Sequence, residues 1–218
     1  MNHVPTLSDI DVRQAIIDAC LDMNRLGINQ GTSGNISVRS RDGILITPTS
    51  LPYKTMTPQD VVWMGFDGRI EGTRQPSSEW RFHIDIMRAK PNVNAIVHAH
   101  PTACTTLSIM EKSIPPIHYM VAVAGGHDIR CAPYATFGTK ELSHNALSAL
   151  EGRAACLLAH HGMIATSSTL DKAMWLSVEV ETLAKQYLGC LPMGEPPLLS
   201  EEEIANVIAH MSNYGHKD

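Results

Sequence analysis

NAIVHAHPTACTTLSIM, residues 94–110, decides how this chain is built. Ala95, Ile96 and Val97 make an apolar run that stops at Pro101. A run of that length reads as a short buried strand. Pro101 suits the first turn of a following helix, where its missing N–H costs nothing. The reading is therefore strand, then helix, with His98 and His100 where the strand meets the loop. On a strand, residues i and i+2 point to the same face. The two imidazoles then project side by side, as two ligands of one metal ion do. Alone the pair is a weak signal, because polar residues at a strand end are readily satisfied by water or backbone.

A second pair strengthens it. AACLLAHHGMIAT, residues 154–166, reads as a buried strand with a break at His160–Gly162. Adjacent strand residues face opposite ways, so one of His160 and His161 can join His98 and His100. Buried imidazoles are costly unless paired or bound. Three of them from two neighbouring strand ends leave a coordination position open, the pattern of a catalytic rather than a structural zinc site. Cys20, Cys104, Cys131, Cys156 and Cys190 are odd in number, widely spaced and without a CxxC pair. They argue against a disulfide framework and fit a reducing cytoplasm.

Outward from these strands, residues 8–27 form an amphipathic helix that Ser8 can cap and Gly27 can end. NISVR (35–39) and GILIT (43–47) are short strands joined by a tight turn, and DVVWMGFDGRI (60–70) is a further strand and turn. PSSEWRFHIDIMRAK (76–90) has helical spacing with a start signal at Pro76 and Ser77. Residues 138–152 and 168–189 are helices, the second capped by Ser168 and stopped by Gly189; PMGEPP links to a last helix over 199–215. No repeat or domain boundary interrupts residues 1–218, so one domain is expected, α/β or α+β, with helices covering a sheet.

The formal net charge of −5 offers no basic field for nucleic acid or an anionic membrane. The N-terminus lacks a basic-then-apolar leader, and no run of about 18 apolar residues suggests a membrane span. A cytoplasmic protein with neither partner is expected. An anionic substrate would need local dipoles instead. The QGTSGN (30–35) and TPTS (47–50) loops, rich in glycine and hydroxyls, can supply backbone N–H groups to a phosphate, or be plain turns. Ser77 and Ser78 at a helix start add to that set, and Glu79 beside them is a candidate acid/base. In a closed apolar site its pKa is expected to be raised.

Together NQGTSGNISVR, ITPTS, PSSEWRFH, VHAH, IPPIHYM, CAPYATFGT and LAHHG, in this order over nearly the whole chain, resemble the zinc-dependent class II aldolase/adducin family. Within it the likeness is greatest to members that act on L-fuculose 1-phosphate. The resemblance implies a three-layer α/β/α fold with a central, mainly antiparallel sheet. It also implies a homotetramer with sites between subunits. It assigns zinc to His98, His100 and His161, with manganese, cobalt or iron as possible substitutes, and leaves His160 without a role. Glu79 and Tyr119 are implied as catalytic groups. Asn35, Thr49, Ser50, Ser77 and Ser78 are implied to hold the phosphate of a phosphorylated sugar, Phe137 to lie near the aldehyde, and Tyr119 and Tyr214 to reach a neighbouring subunit's site. The implied reaction is cleavage of a ketose 1-phosphate to dihydroxyacetone phosphate and a small aldehyde. 5-Deoxyribulose 1-phosphate and 5-methylthioribulose 1-phosphate are alternative substrates. A pentulose-phosphate 4-epimerase and a non-catalytic binding module are the other family types weighed. One departure stands out: the family loop usually reads threonine–glycine where this chain has Thr49-Ser50.

Overall fold

The computed structural model describes residues 9–213. Helices α1 (Asp9–Arg25), α2 (Trp80–Ala89), α3 (Thr102–Ile109), α4 (Lys140–Ala149), α5 (Leu170–Cys190) and α6 (Glu201–Asn213) surround one sheet. Its strands are β1 (Asn35–Ser40), β2 (Gly43–Ile46), β3 (Val62–Gly65), β4 (Ile70–Glu71), β5 (Ala95–Ala99), β6 (Cys131–Ala132), β7 (Ala155–Leu158) and β8 (Gly162–Ser167). They lie in the order β4-β3-β2-β1-β5-β8-β7-β6. Neighbours are antiparallel except β6 beside β7.

Alternation along the central strands builds the layers. Ala95, Val97 and Ala99 of β5 and Met163 and Ala165 of β8 pack in a core with residues of α1, α3 and α5. Ile96 and Ile164 face the other way, into a core with Phe82, Ile86, Leu142 and Ala146 of α2 and α4. The result is the three-layer α/β/α arrangement. A strand buried on both faces reads as a near-continuous apolar run, which is why residues 95–97 were legible as one. Each fully buried Ile or Leu side chain contributes about 1.5–3 kcal/mol of apolar burial.

Several local boundaries differ from the sequence reading. The break at His160–Gly162 is a chain reversal: Leu158 pairs with Gly162, and β7 and β8 form a hairpin. His160 at its tip has φ +55. Helix α2 begins at Trp80, not near Pro76, because the preceding segment pairs with another loop. Pro76 bridges Pro48, Ser77 N–H donates to the Thr47 carbonyl at 2.9 Å, and Thr49 N–H donates to the Gln75 carbonyl at 3.1 Å. Thr169, not Ser168, caps α5, its hydroxyl accepting from Lys172 N–H at 3.3 Å. Gly189 does not stop α5, which runs through Cys190; the chain turns at Gly194, φ +114. Gly27 does end α1, with φ +71. Ser8 lies outside the described residues.

One buried carboxylate ties α5 to α3. Glu181, 2% exposed, accepts from Ala103 N–H at 3.1 Å and Cys104 N–H at 2.9 Å. Two of the unbonded N–H groups of the α3 start are thus satisfied by a negative charge at the positive end of the helix. The turn that carries His100 is anchored on that side.

Candidate metal centre and cleft

The ends of β5 and β8 are neighbours, and they bring His98, His100 and His161 together. The three ring centroids are 4.8–4.9 Å apart. One ligand atom from each ring and one Glu79 oxygen all lie within 4.8 Å of one another. His98 Nδ1 is 2.9 Å from the Met163 carbonyl. A carbonyl only accepts, so Nδ1 carries the hydrogen and the Nε2 of the neutral ring is bare. That Nε2 lies 3.0 Å from His100 Nε2 and 3.1 Å from Glu79 Oε2. Glu79 Oε1 is 3.2 Å from His161 Nε2, yet this buried oxygen receives no hydrogen bond. Lone pairs facing one another about a common point, one of them orphaned, fit a cation between them. A carbonyl that orients the ring from behind is the usual outer partner of a metal-bound imidazole.

Gly162 makes room for this packing. A Cβ there would lie 2.6 Å from the Ala99 carbonyl oxygen and 2.7 Å from His100 Cδ2.

The ring electrostatics point the same way. Burial, then the neighbouring rings, lower His100 to about 3 against the pull of Glu79. Burial, then His98, lower His161 to about 4. Both rings are therefore neutral at physiological pH, the form that binds metal. Burial pushes the Glu79 carboxyl up, but its close contacts with the His98 and His161 rings, and the Asn35 amide that donates to it, outweigh burial. The net effect holds Glu79 below the usual carboxylate range, the opposite of the raised value expected from burial alone.

Glu79 stands at the N-cap of α2 and is 5% exposed. Behind it lies a polar line that sequence reading missed. Asn35 Nδ2 donates to Glu79 Oε2 at 2.9 Å. Asn35 Oδ1 lies 2.6 Å from His83 Nε2, and His83 Nδ1 2.7 Å from Ser37 Oγ. His83 is fully buried and stacked on Phe82, and burial, then His98, lowers it to about 3. The signal for it was present: His83 is one helical turn beyond Glu79, on the apolar face of α2.

The centre opens into a cleft of about 410 Å³. His100 and His161 border it, with Asn35, Thr49, Ser50, Ser77, Ser78, Glu79 and Phe137. The hydroxyl-bearing loops, far apart in sequence, are held side by side by the Pro48–Pro76 bridge. Ser50 has φ +57, a left-handed backbone at the position where the family loop carries glycine. Tyr134, Thr32 and Ser33 also line the cleft and were not singled out, although their segments were quoted. His160 lines it too, pairing with Glu111 at 3.3 Å and meeting Tyr134 edge-on at 5.9 Å; it is not among the clustered ligand atoms. Tyr119 is not in this cleft. It starts a 3₁₀ turn (Tyr119–Ala124), is 49% exposed, and lines a separate groove with Trp175 and residues of α6. Tyr214 lies outside the described residues. Among the described residues, no helix is long and apolar enough to cross a membrane.

Comparison with known proteins gives consistent results. Residues 14–188 match the family described as Class II Aldolase and Adducin N-terminal domain. An L-fuculose phosphate aldolase of Escherichia coli (strain K12) is 54% identical over 92% of this chain and 94% of its own length. A 5-methylthioribulose-1-phosphate/5-deoxyribulose-1-phosphate aldolase of Rhodospirillum rubrum is 52% identical over 95% of this chain and 94% of its own. A solved structure of an L-fuculose 1-phosphate aldolase superposes with a TM-score of 0.90 at 38% identity, covering 97% of this chain and all of that one.

Proposed function

The chain belongs to the class II aldolase and adducin family, and from that premise we propose that it is a metal-dependent aldehyde-lyase cleaving a ketose 1-phosphate. The substrate class is that of L-fuculose 1-phosphate, the products dihydroxyacetone phosphate and an aldehyde such as L-lactaldehyde. The observation that carries this reading is the meeting of three imidazoles and one carboxylate within 4.8 Å at the edge of a hydroxyl-rimmed cleft.

His98, His100 and His161 would hold the metal. A divalent ion there supplies Lewis acidity toward the substrate oxygens. Three imidazoles suit zinc, and manganese, cobalt or iron(II) are the substitutes the donor set allows. The hydroxyls of Thr49, Ser50, Ser77 and Ser78, with the Asn35 amide, hold the phosphate through neutral donors, in keeping with a chain of net charge −5. Glu79 handles the proton at C3: as an ionised carboxylate it removes it in the synthetic direction, and in cleavage it returns to C3 the proton that the C4 hydroxyl gives up as the C3–C4 bond breaks. Tyr119, exposed and away from its own cleft, serves the site of a neighbouring subunit, where its phenol takes the C4 hydroxyl proton while passing its own on toward Glu79. Phe137, on the rim of the cleft, borders the aldehyde, and Tyr214, beyond the described residues, is assigned like Tyr119 to a neighbouring subunit's site. This division of labour needs at least two subunits, and the resemblance to the family makes a homotetramer of one-domain chains, acting in the cytoplasm, the proposed working unit.

The second reading is 5-methylthioribulose or 5-deoxyribulose 1-phosphate, favoured by the 52% identity to an aldolase of that name. The test is release of dihydroxyacetone phosphate from the three sugars, with and without chelator. Chelator-sensitive release is expected, with kcat/KM highest for L-fuculose 1-phosphate. No triose from any of them, with metal fully bound, sinks the proposal and turns attention to an epimerase.

A further inference from the structure

We propose that His83 is a positioning residue that fixes which end of the Asn35 amide faces Glu79. Ser37, His83, Asn35 and Glu79 form an unbroken line of hydrogen bonds of 2.7, 2.6 and 2.9 Å. The four residues are 0%, 0%, 4% and 5% exposed, so water does not exchange into these contacts. The direction of the line follows from one end. An ionised carboxylate only accepts, so Asn35 presents its NH₂ to Glu79. Its Oδ1 then faces His83, where an Nε2–H must donate. The neutral His83 ring is left with a bare Nδ1, and the Ser37 hydroxyl donates to it. Every bond in the line is thereby assigned, from Ser37 through to Glu79.

This has two consequences at the cleft. The Asn35 amide has its oxygen and one Nδ2 hydrogen committed inward, so the group left to meet the cleft is an N–H donor. A locked donor suits an anion and cannot turn to offer an acceptor. The two oxygens of Glu79 also become inequivalent: Oε2 is held by Asn35, while Oε1 has no hydrogen bond. The oxygen without a hydrogen bond, which faces the metal position, is the one able to leave it for proton transfer. Without the His83 donor the amide can rotate and bring its oxygen against the Oε2 side, disturbing both groups. The kinetic part of this inference rests on the proposed role of Glu79; the order of the hydrogen bonds rests on geometry alone.

The experiment uses the full-length, metal-loaded chain. In ¹⁵N-histidine-labelled wild type, His83 should show the neutral Nε2–H tautomer, with Nδ1 accepting a hydrogen bond. An Nδ1–H tautomer would overturn the assignment. His83→Leu, measured per metal-loaded site, should lose about 10–100-fold in kcat, the range for groups that orient a reactive residue from behind. His83→Gln, whose amide nitrogen falls near the lost Nε2–H, should recover most of that loss. Ser37→Ala should show a smaller fall, and adding it to His83→Leu should cost nothing more, because the two act through one line. Unchanged kcat in His83→Leu, or a loss in His83→Gln that merely follows a lowered Tm, would reduce His83 to a packing residue and overturn the proposal. If His83→Leu does not fold, the tautomer, His83→Gln and Ser37→Ala decide it. A wild type that releases no triose would overturn the aldolase reading, and the tautomer would still settle the order of the line.

Discussion

Ser50→Gly should make this protein more stable. Ser50 has φ +57 in an exposed loop, and its hydroxyl has one weak contact, 3.4 Å to Thr49 Oγ1. A residue with a Cβ is disfavoured there by roughly 1–2 kcal/mol, and glycine is not. Against that gain, glycine frees the unfolded chain by about 0.4–1 kcal/mol. The difference leaves a net stabilisation of about 0.5–1 kcal/mol. For a chain of this size that corresponds to a rise of roughly 1–4 °C in Tm. Thermal melts of the metal-loaded protein would measure it beside Ser50→Ala, which keeps the backbone strain and removes only the hydroxyl. Ser50→Ala should melt no higher than wild type. If Ser50→Gly melts no higher than Ser50→Ala, the strain argument is wrong. A KM that rises equally in both variants would instead assign the hydroxyl to substrate binding.

Gly162→Ala should destabilise by about 1–3 kcal/mol, because the new Cβ meets a carbonyl oxygen at 2.6 Å and the His100 ring at 2.7 Å. It should also weaken metal binding, and a metal titration equal to wild type would refute the close fit. Gly189→Ala is the converse. It adds a Cβ to open space inside α5 and should stabilise by up to about 1 kcal/mol, read from denaturant midpoints; a lower midpoint would contradict it. The metal-stripped protein should be acid-labile. His83 and His100 lie near 3 and His161 near 4 when folded, against about 6.5 unfolded. Between those values the unfolded chain binds protons that the folded chain refuses. Stability therefore falls as pH drops from about 6.5 to about 4, by up to ~1.4 kcal/mol per pH unit for each ring. A Tm that stays flat from pH 7 to 5 would show that these rings are not held neutral.

What the sequence revealed followed its strongest periodicities. The run at 95–97 and the i, i+2 spacing of His98 and His100 anticipated that the two imidazoles stand side by side, as they do in the cluster with His161 and Glu79. The reversal at Ala159–His161 was less legible. Two short apolar strands with a three-residue turn look like one strand with a flaw until partners are known. The α2 start was misplaced because Pro76 and Ser77 are good start residues locally, but pairing with Thr47 and Pro48 overrides that preference. Gly189 and Ser168 failed likewise: helix propensity is weak beside the packing of a buried α5. The direction of the Glu79 shift was missed because burial was visible in prospect, whereas the contacts of its oxygens with His98, His161 and Asn35 were not. His83 hid in an apolar stripe, where its ring reads as core until its two partners, both on β1, are seen.

The Pro48–Pro76 bridge bears on how this cleft can change. Two strips of loop that mutate independently in the gene are one mechanical body in the fold, sharing backbone hydrogen bonds on either side of that bridge. An exchange at residues 47–50 is felt at 75–78, and the reverse. Libraries built to alter the accepted sugar would do better to randomise both strips together. Along lineages, the two should drift as a pair.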